Sequence, residues 1–190
     1  MKVLCTLMAS TTSLSKPVRG RSIVKGQVVD AETGEPIEGA AVFIEWTKPS
    51  AAPPGVTAIG VMVEKAENLT DEKGLFDVPR YASLYRGKKF TMAVYKKGYV
   101  CWSSETIFPT YEKRKGFKLT NHMIIQLERF KDDYSRLDHA NFAVISSADR
   151  DDPGLFQAAI ESEMEFGRDV VRKKRMLIHS NGNEQAVALH

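Results

Sequence analysis

"VKGQVVDAETGEPIEGAAVFIEW", residues 24–46, decides the fold. Around its first half, Ile23, Lys25, Gln27 and Val29 alternate with Val24, Gly26, Val28 and Asp30. Neither set is purely apolar, but Val24 and Val28 give one face a core preference, as in a half-buried β-strand. "AETGEPIEG" then places Gly34, Pro36 and Gly39 where the chain must turn. "AAVFIEW" resumes the strand, with Val42 and Ile44 on one face and Ala41, Phe43 and Glu45 on the other. Gly34 can take a positive φ, Pro36 fixes φ as the next strand begins, and Gly39 frees the backbone before Ala40 enters the core. Asp30 and Thr33 can cap the turn through side-chain hydrogen bonds to backbone N–H groups. All of these roles are structural.

The same grammar continues outward. "TKPSAAPPGVT" (47–57) carries Pro53-Pro54 and a nearby glycine, so a loop is expected there. "AIGVMVEKAENLT" (58–70) reads as a strand, and "DEKG", with Asp71 and Gly74, reverses it into "LFDVP". Phe90, Met92 and Val94 alternate with Thr91, Ala93 and Tyr95, and Lys96, Lys97 and Gly98 form the next turn. In "NHMIIQLERF", Met123, Ile125 and Leu127 share one side against His122, Ile124, Gln126 and Glu128. About seven short strands at this spacing predict a mainly β protein, an antiparallel β-sandwich of about 100 residues.

From residue 130 the period changes. Phe130, Tyr134, Leu137 and Phe142 predict a helix within 130–148. The stretch 149–175 predicts a second, with Asp152 as cap, Pro153 in the first turn and a basic end. Leu155, Phe156, Ala159, Ile160, Met164 and Val171 would form its buried face. The expected organisation is a tail over 1–21, a sandwich over 22–129, a helical extension over 130–180 and a flexible tail over 181–190.

Apolar residues at 43% and charged residues at 27% are ordinary for a globular chain. No apolar run reaches the roughly 20 residues of a membrane-spanning helix. A net charge of +3 does not suggest a nucleic-acid partner. Two basic runs, Lys113-Arg114-Lys115 and Arg172-Lys173-Lys174-Arg175, can contact phosphate or an anionic surface. Their plainer readings are a solvated loop and a basic helix end. Two cysteines, Cys5 and Cys101, make neither a disulfide framework nor a zinc site. Cys101 reads as a buried apolar side chain. Cys5, between a short apolar run and a Ser/Thr-rich stretch, resembles the end of an export signal or a lipidated lipoprotein start, although Leu4 stands where a lipobox takes Gly, Ala or Ser. An ordinary frayed N-terminus is the alternative.

Three ordered blocks carry a resemblance: Gly26, Asp30, Thr33-Gly34, Pro36-Ile37, Gly39-Ala40 and Val42; then Thr70-Asp71, Gly74 and Phe76; then Gly98-Tyr99. Together they resemble the carboxypeptidase regulatory-like domain over residues 22–129. The resemblance implies a seven-stranded Ig-like, transthyretin-like (prealbumin-like) sandwich. Members of that family occur as accessory modules beside peptidases, at the start of outer-membrane receptors and in exported surface proteins. The proline-bearing insertion and the helical extension depart from the family pattern.

Catalytic groups are sparse. His122, His139, His179 and His190 show no "HxxE" or "HExxH" pattern, which speaks against a zinc peptidase. Tyr95, Tyr99, Tyr111 and His122 match no iron-ligand spacing. Asp30, Glu32 and Glu35, and Asp149, Asp151 and Asp152, can be read as calcium ligands, but more simply as a turn and a helix N-cap. There is no "GxSxG", "SxxK" or "GxxxxGK". No catalytic residue, metal or cofactor is therefore expected. Trp46, Trp102, Phe108 and Tyr111 fall near strand ends, where rings stack on sugars, anchor protein partners or pack against the helices. The resulting expectation is a non-catalytic binding or structural module of the cell envelope, periplasmic or lipid-anchored, whose partner is a protein or a surface glycan. The alternatives are an accessory subunit of an envelope enzyme or transporter, a carbohydrate-binding surface protein, and a cytoplasmic location.

Overall fold

In a computed structural model the described residues are 22–49, 60–80, 89–146 and 154–187. Cys5, the Pro53-Pro54 loop, and Asp149, Asp151, Asp152 and Pro153 lie outside them. So do the side chains beyond 173, including Lys174, Arg175 and His179, and all of His190.

The alternating segments form β1 (Ser22–Asp30), β2 (Ala41–Pro49), β3 (Gly60–Leu69), β4 (Leu75–Arg80), β5 (Lys89–Tyr95), β6 (Trp102–Ser103), β7 (Thr106–Ile107), β8 (Glu112–Lys113) and β9 (Met123–Leu127). One sheet has the order β4-β1-β9, the second β3-β2-β5-β6, and β7 and β8 make a small ribbon. The two sheets pack face to face as a β-sandwich. Val24, Val28, Phe76, Val78, Ile125 and Leu127 of the first meet Val42, Ile44, Trp46, Met92 and Val94 of the second.

One pairing departs from the antiparallel expectation: β9 runs parallel to β1, from Gly26 opposite Met123 to Asp30 opposite Leu127. Alternation does not report strand direction, and a parallel neighbour needs only a long crossover, which β2 to β8 supply. The register is pinned at the start of β9, where Lys25 N–H donates to Asn121 Oδ1 at 2.9 Å and His122 N–H to Lys25 O at 2.7 Å. A second correction concerns 47–49. These residues continue β2 past a bulge at Trp46/Thr47 instead of opening a loop, and Pro49 ends the strand, where its missing N–H costs least.

β2 and β5 are buried on both faces, which half-buried strands would not be. Ala41, Phe43, Ala93 and Tyr95 form a second core with Phe142, Ala143, Phe156 and Ile160 from the C-terminal helices α1 (Arg136–Ser146) and α2 (Leu155–Val187). The helices are a third layer on the β3-β2-β5-β6 sheet. α1 begins at Arg136 because Ser135 caps it, its Oγ accepting Asp138 N–H at 3.2 Å. Phe130 and Tyr134, expected within the helix, precede it and still pack into the same layer. On α2, Phe156 and Ile160 are buried and Ala159 and Met164 half-buried, but Leu155 and Val171 are exposed, at 45% and 49%. They fall off the stripe that faces the sheet. At the N-terminus of α2, Glu67 Oε2 of β3 accepts Leu155 N–H at 2.6 Å, a cap supplied across space. α2 continues to Val187, past the boundary expected at 180.

Candidate functional site

The three sequence blocks converge at one end of the sandwich. Asp30 Oδ1 accepts the N–H groups of Glu32 (2.8 Å) and Thr33 (3.1 Å), while Oδ2 accepts Tyr99 Oη–H (3.0 Å) and Arg129 Nε–H (2.8 Å). Burial pushes the Asp30 carboxyl up, but these donors outweigh it and hold the pKa at about 2. With both oxygens engaged, Asp30 has no lone pair readily turned toward calcium. Thr70 Oγ1–H donates to Ile37 O at 2.6 Å and accepts Ala40 N–H at 2.8 Å, tying the second block to the first. Asp71 Oδ1 accepts Lys73 and Leu75 N–H, and Gly74, at φ 68°, lies so close to β1 that a Cβ would meet Val28 O at 2.4 Å. Gly26 is required for a different reason, because the Phe76 ring lies where its Cβ would be, 2.4 Å from Cζ. Gly34, Gly39 and Gly98 all hold positive φ, and Pro36 bridges back to Val29. These interactions make a folding lock.

One open concavity lies between β6, the segment following β8, and β9, with a volume of about 530 Å³, and another, of about 570 Å³, lies beside Gly26, Asp71 and Phe76. Trp102, Arg114, Lys115 and Phe117 line the first from one side, Ile124 and Gln126 from the other. The Trp102 and Phe117 rings meet edge to face, centroids 4.9 Å apart. Arg114 lies across Trp102, its Cζ 4.8 Å from the ring centroid, and Arg114 Nε–H donates to Ser103 O at 2.7 Å. Burial lowers the Arg114 pKa, and among the described residues no carboxylate forms an ion pair with it. Glu128, at the rim, is already neutralised by Lys131 and accepts Tyr134 Oη–H at 2.8 Å. The first concavity thus pairs an aromatic wall with a partly desolvated cation that no carboxylate among the described residues compensates.

The four aromatic residues expected at a binding surface divide. Trp102 lines the groove half-buried, and Phe108 forms part of its base but is 5% exposed, its ring packed on Phe142 and His139. Trp46 is buried between the sheets. Tyr111 is exposed, and its Oη–H donates to Asp138 O at 3.1 Å, fastening the β7-β8 ribbon to α1. Arg114 is the residue that sequence reading undervalued. It was visible only as the middle of a basic run, and nothing linear signals that it folds back on Trp102 while Lys113 and Lys115 stay exposed.

Beneath the helices lies a buried polar group. Cys101 N–H donates to His139 Nε2 at 2.9 Å, and Tyr95 Oη–H to Glu163 Oε1 at 3.3 Å. Burial pushes the Cys101 thiol up to about 12 and holds His139 below its usual range, so neither a thiolate nor an imidazolium is favoured here. Among the described residues His139 Nδ1 and Glu163 Oε2 make no hydrogen bond, although Arg136 Nε stands 3.5 Å from Glu163 Oε2. Tyr95, Tyr99, Tyr111 and His122 sit respectively under the helices, at Asp30, on the ribbon and at the exposed start of β9, so the fold does not gather them. Among the described residues no three His, Cys, Asp or Glu side chains cluster as metal ligands, and no helix is long and apolar enough to cross a membrane.

No protein-family profile and no curated protein matches this chain. Among solved structures, the chain is similar to the C-terminal domain of the shaft pilin SpaA from Lactobacillus rhamnosus GG, with 16% identity, TM-score 0.33, and 59% of this chain and 100% of that one covered. It is similar to the major plantain pollen allergen Pla l 1 at 14% identity and TM-score 0.36, over 61% of this chain and 99% of that one. A 9R-lipoxygenase from Cyanothece PCC8801 matches at 13% identity and TM-score 0.35, over 73% of this chain, which spans only 25% of the lipoxygenase. These distant likenesses carry no function across.

Proposed function

We propose that the chain is a non-catalytic recognition module of the carboxypeptidase regulatory-like type, working at the cell envelope, and that it binds its partner in the groove beside β9. One observation carries this reading: Arg114 lies half-buried over Trp102, and among the described residues no carboxylate forms an ion pair with it. Desolvating a guanidinium without a counter-ion costs free energy, and the groove leaves room for a ligand to restore the balance. The rest of the molecule supports recognition over chemistry. The most strongly shifted groups are locked in structural hydrogen bonds or buried, and Cys101, the one of them that borders the groove, is 1% exposed with its thiol pushed up by burial. The resemblance over 22–129 supports the module type and the envelope setting, with partners among proteins or surface glycans.

The test is a screen of peptides, glycans and cell-wall fragments against the isotopically labelled protein by NMR. A true ligand moves the Trp102 indole and the Phe117 and Gln126 amides, and mass spectrometry recovers it unchanged. A ligand chemically converted by the protein, or one that moves only residues outside the groove, overturns the reading. Fractionation of the native host, finding the protein wholly in the cytoplasm, overturns the envelope setting.

A further inference from the structure

We infer that the groove takes an extended acidic peptide, laid along the open edge of β9 with a carboxylate on Arg114; this rests on the groove being the recognition site. Two independent observations point to that ligand. First, β9 is the terminal strand of its sheet, and among the described residues no strand pairs with its far edge over Met123–Leu127; beyond it Val100 N–H donates to Glu128 O at 2.8 Å and closes the edge at that end. An edge strand is a template for one more strand, which gains backbone hydrogen bonds there. Second, the charge at that edge is of one sign. Among the described residues Arg114 has no acidic partner, Lys115 is exposed beside it, and Glu128, the acidic residue at the rim, is neutralised by Lys131.

The geometry also weighs against a stacked sugar. A glycan needs an open aromatic face, and Trp102 carries Arg114 over its ring and meets Phe117 edge to face. The guanidinium commits Nε to Ser103 O, and among the described residues its terminal N–H groups have no acceptor, which leaves them for a carboxylate. Ile107 and Ile124, 37% and 63% exposed, offer apolar contacts for the alternate side chains of an extended ligand.

The experiment titrates the labelled full chain with Ac-VEVEV-amide, Ac-VQVQV-amide and trigalacturonate. The acidic peptide is expected to shift the Trp102 indole and the β9 amides, and to bind roughly tenfold or more tightly than its neutral counterpart, as charge-assisted hydrogen bonds require. Arg114→Gln is expected to erase that difference between the two peptides, and Arg114→Lys to retain part of it. Exposed Lys115→Gln, which leaves the core untouched, gives a smaller loss and guards against misfolding of the Arg114 variants. Equal binding of both peptides overturns the inference. Trigalacturonate moving Trp102 while neither peptide does overturns it too, but leaves the groove as the recognition site. Silence from all three probes overturns the peptide, and only silence across the wider screen removes the groove.

Discussion

The phenol of Tyr99 donates a 3.0 Å hydrogen bond to the carboxylate of Asp30, joining positions 69 residues apart. Arg129, just past β9, completes the arrangement with Nε–H on the same oxygen at 2.8 Å. A single buried carboxylate therefore fastens the first turn, the turn after β5 and the exit of β9.

That fastening has an acid limit. Asp30 is lowered from 3.8 to about 2 in the fold, so on acidification the unfolded chain takes up the proton first. The stabilisation is complete above about pH 4 and is lost as pH falls toward 2. Thermal midpoints of wild type and Asp30→Asn, followed by circular dichroism, should differ most at neutral pH and converge toward pH 2. Parallel curves would remove Asp30 from this role.

Gly26 and Phe76 face each other across β1 and β4. Because an added Cβ would lie 2.4 Å from the ring, Gly26→Ala should destabilise the protein by about 1–3 kcal/mol. Phe76→Leu introduced into that background should recover part of the loss. Urea denaturation midpoints of the two single variants and the double variant measure it, and strictly additive losses would contradict the contact.

Cys101 is 1% exposed and its thiol is pushed up to about 12 by burial, so it should resist maleimide in the native protein at pH 7.5. In a Cys5→Ser background the mass spectrum should stay unlabelled for hours. Phe156→Ala, which empties a fully buried position under α2 at a cost of about 3–5 kcal/mol, should make labelling fast. Rapid labelling of the unaltered layer would mean that the helices do not seal it.

His139 is a second pH-sensitive point. Its Nε2 must stay unprotonated to accept Cys101 N–H, and burial holds its pKa below 6.5 against the attraction of Glu163, with Arg136 adding to the effect of burial. The unfolded chain therefore binds a proton first below about pH 6.5, and stability falls from there as pH drops. His139→Gln offers an acceptor that does not titrate. Between pH 7.5 and 5 the wild-type melting temperature should fall more steeply than that of the variant, and equal slopes would discount His139.

The sandwich was legible because Gly26, Asp30, Thr70 and Gly74 act through local backbone geometry and period-two burial, both written along the chain. Direction and layering were not. The parallel placement of β9 depends on where a crossover returns, and the double burial of Phe43 and Tyr95 depends on helices more than ninety residues downstream in one case and about forty in the other. The groove was legible only in pieces. Trp102 was singled out for its ring and Arg114 for its charge, but their contact arises from the turn of the β7-β8 ribbon, and Trp46, chosen on the same grounds, points into the core.

The double burial of the central strands bears on how the molecule can be divided. A fragment ending at Arg129, where the resemblance ends, would keep every residue of the folding lock and yet present Ala41, Phe43, Ala93 and Tyr95 to water as one sticky sheet surface. Such a fragment should self-associate on expression, whereas a cut placed after α2 has covered that sheet should yield a well-behaved protein. The unit handled as one piece is therefore sandwich plus helices.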